Sequence, residues 1–142
     1  MIILAVDFGD ARTGLACCDK SEMLASPAGV IAETDFDACI VKTAAEAAAH
    51  NAEQIVVGHP KNMNGTIGER AEKCALFADR LAELSGLPVQ LWDERCTTVS
   101  AHRYLNQTNT RGKKRKAVVD AVAATIILES YLDYRKHCKS AD

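Results

Sequence analysis

The chain has 142 residues, 48% hydrophobic and 25% charged, ordinary values for a globular protein with room for a real core. A formal net charge of -2 and a pI near 6.1 exclude a global positive field, so any polyanion must meet a local basic patch. No apolar stretch approaches the length needed to cross a membrane, and aromatics are only 5%, leaving Val, Ile, Leu and many alanines to fill the interior.

The predicted elements run in a simple order. Ile2 to Asp7 is wholly apolar until its final carboxylate, the pattern of a central strand covered on both faces. Thr13 to Cys18 and Pro27 to Glu33 read as the next two strands, with Asp19 to Glu22 as a polar turn between them. Such tight connections imply an antiparallel meander. Phe36 to His50 then switches to a helical period, with Asp35 as its N-cap. Gln54 to Val57 is a fourth strand, ended by Gly58 and Pro60. Thr66 to Glu69 reads as a capping box opening a second helix, which stops at Gly86 with Pro88 beyond. Val89 to Trp92 is a fifth strand leading directly into Asp93-Glu94-Arg95. A third helix is predicted over Thr97 to Leu105 and a fourth over Ala117 to Arg135, with a polar loop from Asn106 to Lys116 between them.

With no repeat and no long linker, residues 1–142 read as a single α/β domain. The expected architecture is a five-stranded mixed sheet, a three-strand antiparallel meander plus two strands parallel to the first, flanked by about four helices. The six cysteines (Cys17, Cys18, Cys39, Cys74, Cys96 and Cys138) include no C-x-x-C pair, and no histidine stands at zinc-finger spacing. Without a signal peptide they read as reduced thiols, most of them packing material, in a cytoplasmic protein with no membrane contact.

Asp7 carries the first chemical signal. A charge at the end of a buried strand is costly unless water, a partner or a cation receives it. In the expected topology Glu94, after the fifth strand, faces the same sheet edge, where ligands of open α/β sheets gather. Asp120, flanked by Ala117, Ala123 and Ala124 at helical spacing, points toward the sheet. Three carboxylates so gathered repel by about 4 kcal/mol per pair at 4 Å and a near-surface dielectric. Divalent metal relieves this, and two ions can clamp an in-line phosphoryl displacement. Each acid also has a plain alternative: Asp7 as a cap for the following turn, Glu94 as a first-turn helix residue, Asp120 as a partner of Lys116.

The supporting residues keep similar alternatives open. Gly9 lets the backbone approach a phosphate or turn sharply, and Gly14 permits close packing. Arg12 clamps a phosphate with its planar fork or pairs with Asp10 or Asp93, and Arg95 poses the same choice beside Glu94. Asn64 lies in a glycine-bearing loop, 62 to 68, that is either an anion site at a helix start or a turn and cap. Thr97 and Thr98 bind phosphate or cap a helix. Arg111, Lys113, Lys114, Arg115 and Lys116 place five cations within six residues just before Asp120, a grip for a polyanion or a solvated loop. His59 and His102 have no spacing that argues for proton transfer and read as structural.

Four motifs in this order resemble a known family: Asp7-Phe8-Gly9-Asp10-Ala11-Arg12-Thr13-Gly14; Gly58-His59-Pro60 with Asn64-Gly65-Thr66; Asp93-Glu94-Arg95-Cys96-Thr97-Thr98; and Val119-Asp120-Ala121-Val122-Ala123-Ala124. Over essentially its whole length the chain resembles the YqgF family, described as Holliday junction resolvases and as pre-16S rRNA nucleases. The resemblance implies an RNase H-like fold, catalytic carboxylates at Asp7, Glu94 and Asp120, and Mg²⁺ or Mn²⁺ as cofactor. It implies hydrolysis of phosphodiester bonds, with 5′-end maturation of precursor 16S rRNA as the cellular task and a ribosomal subunit as possible partner. Cys96 departs from the family's usual larger apolar residue, a matter of packing more than of chemistry.

Three rival functions follow. A resolvase acting on four-way DNA uses the same metal chemistry but needs two active sites, so a monomer or weak homodimer bears on that choice. A non-catalytic RNA-binding factor in ribosome assembly is disfavoured by the presence of all three acids. An actin-like ATPase shares the Asp-x-Gly turn but needs two such domains around a cleft.

Overall fold

The first strand, β1 (Ile3–Asp7), is buried on both sides because its apolar residues serve two separate cores. The computed structural model describes residues 1–59, 68–93 and 112–140, with side chains in the last segment described from 122 to 136. The described elements continue with β2 (Arg12–Cys18), β3 (Ala25–Ala32), α1 (Phe36–Ala49), β4 (Gln54–His59), α2 (Glu69–Ser85), β5 (Val89–Asp93) and α3 (Gly112–Ser140). The five strands form one sheet in the order β3-β2-β1-β4-β5. β1 pairs antiparallel with β2, which pairs antiparallel with β3, while β4 and β5 run parallel to β1. The meander and the two parallel strands are those expected from the sequence.

Alternation along β1 divides the interior. Leu4, Val6 and Phe8 face α1 and α2, where they meet Ile40, Phe77 and Leu81. Phe8 stacks on Phe77 with ring centroids 4.5 Å apart and meets Phe36 edge-on at 5.7 Å. Ile3 and Ala5 face the other way and join Val56, Ala124, Ile127 and Leu128 under α3. Tyr131 closes that second core, its hydroxyl accepting a 2.7 Å bond from Gln54 Nε2. Each large aliphatic or aromatic side chain buried in this way stabilises the fold by about 1.5–3 kcal/mol.

Helix ends follow local chemistry. The Asp35 carboxylate accepts from the Ala38 amide at 2.8 Å, capping α1 as expected. Gly86 ends α2 in the left-handed region at φ 72, a conformation that glycine enters without steric cost. Three expectations are corrected. β4 continues through Gly58 to His59, because pairing with β5 extends to His59 against Asp93. α2 begins at Glu69 with Gly68 as its N-cap and no side-chain cap bond, so the capping box starting at Thr66 does not set the helix start. α3 begins at Gly112, which turns the last five residues of the expected polar loop, 112 to 116, into helix. The helix expected over Thr97 to Leu105 lies outside the described residues.

Candidate functional site

Asp7 is half-buried at the carboxyl end of the central strand. Strand alternation sets it with Ile3 and Ala5 on the face that α3 covers. Its register partner on β2 is Gly14, which brings no side chain against it. Arg12, one pleat beyond Gly14, shares the face of Ala16 and Cys18. Its Nη1 is buried and has no hydrogen-bond partner among the described residues. A buried guanidinium donor without an acceptor is costly, so this atom is suited to an anionic oxygen.

Of the alternative partners of Arg12, Asp10 is held elsewhere. Asp10 takes a 2.8 Å ion pair from Lys73, whose hydrogen bond and charge hold the Asp10 carboxyl below its ordinary value. Among the described residues no ion pair joins Arg12 to Asp10 or Asp93. Gly9 serves the sharp turn between β1 and β2: a Cβ there would collide with the Arg12 carbonyl oxygen. Its amide also donates to Thr13 Oγ1 at 3.4 Å, and Thr13 is fully buried. Asp7, Gly9, Arg12 and Gly14 thus gather at one sheet edge.

The remaining sequence candidates divide in two. Asn64, Glu94, Arg95, Thr97 and Arg111 lie outside the described residues. Lys113, Lys114, Arg115, Lys116 and Asp120 lie within α3, and only their backbone is described. The five-cation run therefore stands largely on the first turns of a helix, not on a loop. Asp93, which precedes Glu94, closes β5 opposite His59. His59 is 7% exposed, and its Nε2 has no partner among the described residues.

Sequence reasoning missed two residues of α2 that reach this edge. Arg70 Nη2 donates to the Phe8 carbonyl at 3.1 Å, and Lys73 holds Asp10. Nothing local signals either contact, since each spans more than sixty positions. With Phe8, Asp10 and Glu69 they line a pocket of about 290 Å³.

The donor chemistry at the edge suits a hard divalent cation. Asp7 offers carboxylate oxygen beside a glycine, and Cys18, on the same face, lies at the far end of β2. Among the described residues no three His, Cys, Asp or Glu side chains cluster closely enough to hold a metal. Of the three expected ligands, Asp7 alone has its side chain among the described residues. Among the described residues Cys17, Cys18, Cys39 and Cys74 are in no disulfide, and the last three are buried, as packing material should be. No helix among the described residues is long and apolar enough to cross a membrane.

Residues 1–134 match the family described as RuvX: Holliday junction resolvase. A protein of Halothermothrix orenii is 43% identical over 137 residues, covering 95% of this chain and 96% of its own. One of Agathobacter rectalis is 43% identical over 145 residues, covering 99% and 100%. Both bear the description "Putative pre-16S rRNA nuclease". Among solved structures, Thermus thermophilus RuvC superposes with a TM-score of 0.57 at 12% identity, covering 94% of this chain and 97% of that one. Fowlpox virus resolvase, solved with substrate Holliday junction DNA, gives 0.58 at 13%, covering 94% and 98%. At such identity the likeness shows the fold, the RNase H-like arrangement anticipated from the motifs.

Proposed function

Because this chain belongs to the RuvX family of Holliday junction resolvases, we propose that it is a metal-dependent nuclease that hydrolyses phosphodiester bonds in precursor 16S rRNA. The observation that carries the reading is that Asp7 and Arg12 share one face at one edge of the sheet. A carboxylate closes the central strand, and on the same face a guanidinium nitrogen stands buried without an acceptor among the described residues. One group suits a cation and the other suits a phosphate oxygen.

In this reading Asp7, Glu94 and Asp120 together hold Mg²⁺ or Mn²⁺. Position 120 falls in the helical row of Ala124, Ile127, Leu128 and Tyr131, which faces the sheet. α3 runs opposite to β1, with Arg135 beside Glu22 and the Met1 amine at the start of the sheet, so its earlier turns lead toward the edge where Asp7 stands. Both facts support a place for Asp120 in the set. The bound ions would supply charge neutralisation and polarise the phosphoryl oxygens. Arg12 orients the scissile strand. Gly9 keeps the turn tight enough for the backbone to pass close to substrate, and Asn64, Arg95 and Thr97 add polar contacts. Arg111, Lys113, Lys114, Arg115 and Lys116 supply the local positive charge that an acidic protein needs to hold RNA. The enzyme acts in the cytoplasm as a monomer or weak homodimer, on RNA within the assembling ribosomal subunit.

The family description favours a second reading, cleavage of four-way DNA. The purified protein should be offered both a 5′-extended 16S rRNA precursor fragment and a four-way DNA junction in Mn²⁺. Preferred cleavage of the RNA, lost in Asp7→Asn, supports the first reading. Symmetric cuts in the junction with the RNA left intact overturn it in favour of the second. A protein that cleaves neither, in either metal, overturns both.

A further inference from the structure

The turn that follows Asp7 is tied to α2 from two sides. Arg70, in the first turn of the helix, donates to the carbonyl of Phe8, the residue next to Asp7, at 3.1 Å. One turn later Lys73 holds the Asp10 carboxylate at 2.8 Å, and its ammonium lies 5.7 Å from the centre of the Phe8 ring. Phe8 itself is 5% exposed and stacked on Phe77 of the same helix. The ring is therefore locked by packing, while its carbonyl is locked by a charged donor.

These two restraints differ in what they fix. Packing of Phe8 sets the position of the ring, but the plane of the Phe8–Gly9 peptide is held by the Arg70 bond at its carbonyl and by the longer, neutral 3.4 Å bond from its amide to Thr13 Oγ1. The peptide that carries the Phe8 carbonyl continues directly into Gly9, the residue with the least steric resistance to such rotation. A charge-assisted bond at this carbonyl supplies the restraint that the glycine lacks. The exposed Lys73–Asp10 pair is weaker, because both partners are well hydrated.

We infer that Arg70 is a positioning residue: by holding the Phe8 carbonyl from the first turn of α2, it fixes the backbone that aims the Asp7 carboxylate. The assignment rests on the reading of Asp7 as a catalytic and metal-holding group. It adds a residue whose function is exerted through the main chain and not through substrate.

Two variants separate this from plain stability. Arg70→Met keeps the aliphatic stem and removes every donor, whereas Arg70→Lys keeps one. Cleavage of the RNA precursor fragment and of the four-way junction would be measured with Mn²⁺, beside the melting temperature of each variant. Independently of activity, Mn²⁺ would be titrated against ¹⁵N-labelled protein, following paramagnetic broadening of the Asp7 and Phe8 amide signals. For Arg70→Met the expected result is a kcat about tenfold lower with KM within about twofold of wild type. The Mn²⁺ midpoint should rise several-fold, and Arg70→Lys should recover most of both. Wild-type kcat and an unchanged midpoint in Arg70→Met overturn the proposal, as does a fall in melting temperature with no recovery in Arg70→Lys. Asp7→Asn distinguishes the two levels of failure. If it still cleaves, or if Mn²⁺ leaves the Asp7 signal of the wild type untouched, the reading of Asp7 falls and this inference with it. If Asp7→Asn is inactive while Arg70→Met matches wild type, the Arg70 assignment alone is wrong.

Discussion

A carboxylate at the end of a strand buried on both faces is a costly placement, and Asp7 keeps it opposite a glycine, on the sheet face that Arg12 shares. Replacing Arg12 by Met should therefore separate binding from chemistry. The expected result is a KM raised about tenfold for a phosphodiester substrate, the loss of roughly one charge-assisted contact, with little loss of fold. Steady-state kinetics on the RNA fragment and a melting curve decide it. Glu22 gives a residue-scale prediction of another kind. Its carboxylate receives Arg135 Nε at 2.6 Å and the Met1 amine at 3.0 Å, and the Arg135 bond foremost lowers its pKa from 4.5 to about 2. A depressed folded-state pKa stabilises fully above about pH 4.5 and ceases to do so as pH falls toward 2. Wild type should thus exceed Glu22→Gln in urea midpoint at pH 6, and the gap should close as the pH is taken down through that window.

The elements show how local chemistry and distant packing share control of the fold. Gly86 ends α2 at φ 72, so Gly86→Ala should cost about 1 kcal/mol, read as a lower denaturation midpoint with unchanged slope. That stop, the Asp35 cap and the meander were legible because a few adjacent residues determine each of them. The start of α3 was not. Residues 112 to 116 put cations on the first turns of a helix, where the macrodipole opposes them, and no acid stands in the first turn. Those signals describe a loop, and the long apolar row from Val122 to Leu132 packed on the sheet outweighs them. The start of α2 was misread for a related reason, since Gly68 has no side chain with which to announce itself as a cap. At the site, Asp7, Gly9 and Arg12 could be found from one short motif. Arg70 could not, because its bond to Phe8 joins positions 62 residues apart and leaves no periodic trace.

At the scale of the whole molecule, the sheet separates two cores and gathers Asp7, Gly9, Arg12 and Gly14 at one edge. Metal that binds the folded protein alone must also stabilise it, by about 2.7 kcal/mol at a concentration one hundred times its dissociation constant. Mn²⁺ should therefore raise the melting temperature of the wild type and leave that of Asp7→Asn nearly unchanged. An equal rise in both would place the ion elsewhere. Binding of RNA should also weaken steeply with added salt, because the net charge of -2 leaves affinity to a few local cations.

The division into two cores has a consequence during synthesis. Among the described residues one of them is covered by α3 alone, although its other walls come from Ile3, Ala5, Ala16 and Val56 near the beginning of the chain. While translation proceeds from Val56 to Leu128, that greasy half of the sheet still lacks the cover that α3 gives it. A nascent chain arrested before residue 122 would expose it to neighbouring chains and chaperones, whereas the half lined by α1 and α2 could already be shut.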